Sequence, residues 1–187
     1  MKFQCRLLFI FSIWLLFGSC AIHDKEFDNP LDYEANEELG IDTPSLVFYP
    51  KTQTKTISDS VVVESFIIFN PDSIGSFAGV HLQIEFPNSF LALDTINPGL
   101  LITDTSQATP LFTYSFDGTN IIDIYTYFLD TLKLDQEGTG HLANLIFNPI
   151  GPGNDSIRYH LDACEIIDHN DNAVEMKGDR SAEVIVQ

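Results

Sequence analysis

Along Phe77–Phe86 (FAGVHLQIEF), polar side chains stand at every second position: His81, Gln83 and Glu85. An imidazole, a carboxamide and a carboxylate at period two project from one side of an extended chain, where they can exchange hydrogen bonds with a partner. They suit an ordinary solvated strand face equally well. A second set is aromatic. Tyr125 and Tyr127 alternate with Ile124, Thr126 and Phe128, while Phe112, Tyr114 and Phe116 alternate with Thr113 and Ser115. If Ile122, Ile124 and Phe128 face inward, Tyr125 and Tyr127 face outward, where such rings stack on sugars or anchor protein interfaces. Cross-strand packing that stabilises the sheet is the alternative. A third set, Asp168, Asn170 and Asn172, has the spacing with which a calcium loop begins. Ala173 stands where the sharp turn needs Gly, and the closing position is Asp179 rather than Glu. A polar turn is therefore the reading there, and no metal site is assigned.

Catalytic signatures are missing. The chain has no Gly-x-Ser-x-Gly elbow, His-Glu-x-x-His helix, Cys-x-x-Cys pair or phosphate-cradling glycine loop. The histidines, His23, His81, His141, His160 and His169, show no ligand spacing. His141 and His160 could still meet on neighbouring strands. Pairs such as Asp130 and Asp135 arise by chance in a chain with 27 acids. No catalytic residue and no cofactor is assigned, and the protein is read as a non-enzyme.

The N-terminus bears on location. Lys2 and Arg6 precede Leu7–Phe17, which is apolar except for Ser12. As a helix this run spans about 16 Å, half a hydrocarbon core. That suits the central region of a signal peptide rather than a membrane crossing. Phe17-Gly18-Ser19-Cys20 resembles the lipobox of bacterial lipoproteins, with Phe where Leu is usual. The resemblance implies that residues 1–19 are removed and that Cys20 carries the lipid. An ordinary secretory signal and an uncleaved membrane helix are the alternatives. Ala21–Pro44 holds eight acids, one Lys and two prolines without an apolar period. It reads as a flexible tether over residues 20–44, with a fully extended reach of about 80 Å. Acids soon after the cysteine resemble surface-export signals of Bacteroidota-type lipoproteins. The expected location is the bacterial outer membrane, facing the cell exterior.

Removing residues 1–19 leaves seven basic and 27 acidic side chains, a net charge near −20. Such a chain lacks the basic footprint that nucleic acid requires. It is repelled by anionic membrane surfaces, so membrane contact is expected only through the lipid. With Cys5 removed and Cys20 acylated, Cys164 has no disulfide partner, and beside Ile166 and Ile167 it reads as a small buried hydrophobe. Stability must come from a core, and residues 45–187 suffice for one domain.

That domain reads as all-β, because the apolar period is near two throughout. Strands are expected at Ser45–Tyr49, Ser60–Phe69, Phe77–Phe86, Phe90–Ile96, Leu111–Phe116, Ile121–Phe128, His141–Phe147, Ser156–Leu161 and Ala182–Val186. Val80, Leu82, Ile84 and Phe86 form the inner face opposite His81, Gln83 and Glu85. Turns such as Asn70-Pro71-Asp72, Asp117-Gly118 and Gly151–Asp155 separate the strands. Leu129–Gln136 is the one short helix or loop candidate. Short strands at this spacing argue for a sandwich or barrel of antiparallel sheets.

Three stretches carry a family resemblance. Ser76–Leu93 (SFAGVHLQIEFPNSFLAL) resembles the cohesin signature, an alternating strand that enters a Pro turn and then a Leu-rich strand. Gly138–Leu161 resembles its later Gly-Ser/Thr-Gly strand, and Ile166–Val174 the hairpin before the last strand. The resemblance covers Ser45–Gln187 and implies a jelly-roll β-sandwich of about nine antiparallel strands. It also implies a non-catalytic module that binds a protein partner, such as one bearing a dockerin, on one sheet face. In dockerin-binding cohesins the strand of His81 often carries Asn and Asp two residues apart. The matching positions here are Gly79 and His81. The same fold includes carbohydrate-binding modules, so polysaccharide on Tyr125 and Tyr127 is the alternative ligand, and a structural envelope lipoprotein the third reading.

Overall fold

The computed structural model describes residues 29–72, 75–103, 109–129 and 136–187. In chain order the elements are α1 (Tyr33–Glu38), β1 (Ser45–Tyr49), β2 (Thr52–Lys55), β3 (Val61–Ile68), β4 (Ser76–Phe77), β5 (Gly79–Glu85) and β6 (Leu91–Pro98). They continue with α2 (Leu100–Thr103), β7 (Thr109–Phe116), β8 (Ile121–Leu129), β9 (Gln136–Glu137), β10 (Gly140–Pro149) and β11 (Gly153–Tyr159). A 3-10 turn over Leu161–Ala163 then leads to β12 (Glu165–Ile167), β13 (Gly178–Arg180) and β14 (Ala182–Val186). One sheet has the order β13-β1-β3-β10-β6. The other runs β2-β14-β11-β5-β8-β7, with β12 beside the first half of β5.

The expected strands are all present, and β1, β3, β5, β6, β7, β8, β10, β11 and β14 are the long ones, each of five residues or more. Two features depart from the expectation. Very short strands β2, β12 and β13 extend or seal the margins of the two large sheets, and β4 and β9 pair with each other as a separate two-stranded ribbon. The pairings β1–β13 and β2–β14 are parallel, because the chain passes between sheets at these margins instead of turning back in a hairpin. Leu129–Gln136, the helix or loop candidate, falls largely outside the described residues.

Period-two alternation becomes a core where the sheets stack. Val80, Leu82 and Ile84 of β5 meet Ile122 and Ile124 of β8, and across the gap Leu46, Phe48, Val63, Leu145 and Phe147; all are buried. Each such side chain contributes about 1.5–3 kcal/mol on leaving water. Tyr159 stacks on Phe48 with ring centroids 4.0 Å apart, and its hydroxyl bonds Ser65 Oγ at 2.8 Å and donates to the Val47 carbonyl at 3.3 Å. The ring thus fills the core while its polar tip is satisfied by the opposite sheet.

Residues 29–44, expected to be part of the tether, are instead built onto the domain. Asp32 caps α1 by accepting from the Ala35 N–H at 3.0 Å, and Gly40 (φ 76°) closes it in the left-handed conformation. Asn36 is buried, donates to the carbonyls of Pro30 and Asp32, and accepts from Arg180 of β13. Ile41 then covers Val47, Phe66 and Ile68 on the outer surface of the five-stranded sheet. The physical reason is that β1 and β3 are apolar on both faces at this end, and their outer face needs a cover.

Candidate functional site

The outer surface of the seven-stranded sheet is organised by the register of β5. Gly79, His81, Gln83 and Glu85 sit opposite Tyr127, Tyr125, Asp123 and Ile121 of β8. β8 in turn places Leu111, Thr113 and Ser115 of β7 beside Tyr127, Tyr125 and Asp123. On the other flank Glu165 pairs with His81, and Arg158 with Glu85. The inner residues of β5 and β8 are locked in the core, so this outer row is presented on a fixed backbone.

The three polar residues of β5 are half-buried and joined to one another. His81 Nε2 donates to Asp123 Oδ1 at 2.9 Å, and Gln83 Nε2 donates to the same oxygen at 3.1 Å. That bond orients the carboxamide, turning Gln83 Oε1 toward His160 Nδ1 at 3.2 Å. His160 Nε2 lies 3.1 Å from Glu85 Oε2. His160 thus faces an oxygen at each ring nitrogen, one from Gln83 and one from Glu85. Glu85 also accepts from Asn120 at 2.9 Å and lies 3.6 Å from Arg158 Nε; Arg158 reaches on to Asp155 at 3.1 Å. The Arg158 pairs are solvent-exposed and contribute at most about 1 kcal/mol each. The face is therefore a chain of mutually positioned donors and acceptors.

Tyr125 and Tyr127 do face outward, beside this network. Tyr125 lies flat against the His81 imidazole, with centroids 4.4 Å apart and planes 3° from parallel. Tyr127 lies over Gly79, where an added Cβ would come within 2.4 Å of its ring. The structure thus brings His81, Gln83, Glu85, Tyr125 and Tyr127 together on one surface. Cys20 lies outside the described residues. His141 and His160, considered as neighbours, are placed apart: His141 stacks on Phe66 in the five-stranded sheet, 4.9 Å between centroids, and His160 follows β11 of the other large sheet. The Asp168–Asn172 segment is a closed turn whose Asp168 carboxylate accepts from the backbones of Asn170 and Asn172 and from the Asn172 side chain. Among the described residues no group of three or more His, Cys, Asp or Glu is arranged to hold a metal ion.

Sequence reasoning missed Asp123, His160, Asn120 and Arg158. Asp123 had a signal, since it precedes Tyr125 by two and must share its face. His160 had none, because its place depends on which strand lies beside β5.

No family model and no curated protein sequence matches the chain. Solved structures do. A chain of the Clostridium thermocellum OlpC type I cohesin–dockerin complex superposes with a TM-score of 0.60 at 12% identity, over 76% of this protein and 92% of that chain. One from the third ScaC cohesin of Acetivibrio cellulolyticus, solved with the ScaB dockerin, gives 0.60 at 14% identity over 76% and 97%. The cohesin module of a Clostridium perfringens family 33 glycoside hydrolase gives 0.56 at 11% identity over 72% and 90%. At these identities the likeness concerns the fold, and the fold is that of a cohesin module.

Proposed function

We propose, starting from the cohesin fold, that this chain is a non-catalytic, lipid-anchored module at the bacterial cell surface. It captures a protein partner through the outer face of β11, β5, β8 and β7, and a dockerin-bearing protein is the first candidate. One observation carries the reading: His81, Gln83, Glu85, Asp123 and His160 hold one another in a single arrangement on a rigid face. Groups ordered before a partner arrives lose less freedom on binding. Support also comes from the solved cohesins, two of which are described with a dockerin. The pair expected at Gly79 and His81 is absent, so contacts would differ in detail and run through the His81–Glu85 row.

The test is capture of a purified dockerin and of host surface proteins by the whole chain, with and without chelator, beside a polysaccharide array. Calcium-dependent capture that His81→Ala or Glu85→Ala weakens about tenfold or more supports a dockerin partner. Glycan binding that survives those changes and disappears in Tyr125→Ala would replace this reading with a carbohydrate-binding one. Mass analysis of the native protein tests the anchor: Cys20 must be the acylated first residue.

A further inference from the structure

The sheet margins are unequal. β2 is four residues with a terminal Lys55, β13 is three residues including Asp179 and Arg180, and β6 carries Asp94 and ends at Pro98. Short length, charge and proline are the ordinary means of blunting an open strand. β7 has eight residues, Thr109–Phe116, and no Asp, Glu, Lys or Arg. Among the described residues it ends the seven-stranded sheet, paired with β8 alone.

The direction of its free backbone groups follows from its neighbours. The Phe128 N–H donates to the Ala78 carbonyl and the Phe86 N–H to the Asn120 carbonyl, so even-numbered residues along β8 bond toward β5. Odd ones bond toward β7, where Tyr127, Tyr125 and Asp123 meet Leu111, Thr113 and Ser115. The N–H and C=O groups of Phe112, Tyr114 and Phe116 therefore point away from the sheet. Pro110 belongs to the same outward set, and its missing N–H leaves the β8 ladder intact. The side chains match this open edge. Leu111 is 48% exposed, and Tyr114 and Phe116 are each 40% exposed on the core side. Phe116 packs on the buried Phe86, 5.8 Å between centroids, so its free side is the uncovered rim of the core.

We propose that β7 is a strand-addition site. Its occupant is an extended segment of a partner protein, neutral or basic, with apolar side chains at alternate positions. The segment pairs with the backbones of Phe112, Tyr114 and Phe116, and its apolar side chains roof Tyr114 and Phe116. A second copy of this chain fits poorly, because each copy carries a net charge of −18. Asp117, just past the strand, favours a cation on the incoming segment. This site is separate from the His81–Glu85 row and stands or falls without it.

The probe is a short peptide of alternating isoleucine and threonine with lysine at each end, added to the whole chain and followed by amide hydrogen exchange. In the chain alone, the amides of Phe112, Tyr114 and Phe116 exchange fast and those of Leu111, Thr113 and Ser115 slowly. Saturating peptide slows the first three by about tenfold or more. Tyr114→Pro removes one outward N–H and abolishes that protection. Tyr114→Lys keeps the N–H but puts a charge under the roof, and weakens it. The proposal is overturned if the outward amides are already protected in the monomeric chain, if the peptide protects a different region, or if both variants bind it unchanged. Protection that grows with the chain's own concentration would assign the edge to self-association instead.

Discussion

Cys164 lies against the backbone of Gln83, its Sγ 3.4 Å from the N–H and 3.7 Å from the carbonyl. Burial pushes its thiol from the ordinary value near 9 up to about 11. At mildly alkaline pH the thiolate is then about a hundredfold scarcer than in a free cysteine. Alkylation by iodoacetamide should be slower by a similar factor and recover when the chain is denatured; fast labelling of the folded protein would contradict this. Carboxyls respond to pH in two directions. Asp168 is held below its ordinary value first by the Asn172 side chain, Asp117 by the Thr119 hydroxyl, and Asp59 by the Thr56 backbone N–H. Depressed groups lend stability that is full above their unfolded values and lost as pH falls through the folded ones. Asp179 is raised by burial, so its ionisation works against folding, and acidification through its raised value relieves that. The expected profile of Tm rises as pH drops toward about 4 and falls below it. Asp179→Asn should raise Tm at neutral pH and leave the acid limb in place.

At the scale of elements, two junctions are sensitive. Gly99 joins β6 to α2, its N–H donating to the Leu142 carbonyl at 2.8 Å. An added Cβ would lie 2.3 Å from the His141 carbonyl oxygen, which is backbone and cannot swing aside. Gly99→Ala should cost about 1–3 kcal/mol, read as a lowered urea midpoint. The N-terminal segment is the other junction. Asn36→Ala removes the donors to two carbonyls and the acceptor for Arg180, and should cost about 1–3 kcal/mol. Deleting residues 29–44 would bare Val47, Phe66 and Ile68, so the shortened chain should bind a hydrophobic dye and melt lower. If it melts like the whole chain, the segment is not part of the folded unit.

Across the whole molecule, the sandwich was legible because alternation is local: each long strand announces its buried face without reference to its neighbours. Val80, Leu82 and Ile84 could be placed inside from β5 alone, as could His81, Gln83 and Glu85 outside. What escaped depends on pairing at a distance. His160 reaches Gln83 only because β11 docks on β5, and β13 supplies Arg180 to Asn36 across most of the chain. Composition misjudged residues 29–44, since a few well-placed contacts from Asn36 and Ile41 outweigh an acidic average. That docking has a consequence for the outer surface of the five-stranded sheet. Because Ile41 sits on Val47, Phe66 and Ile68, that patch of β1 and β3 is already occupied by the chain's own N-terminal segment. Any binder that sought this patch would first have to evict the resident segment.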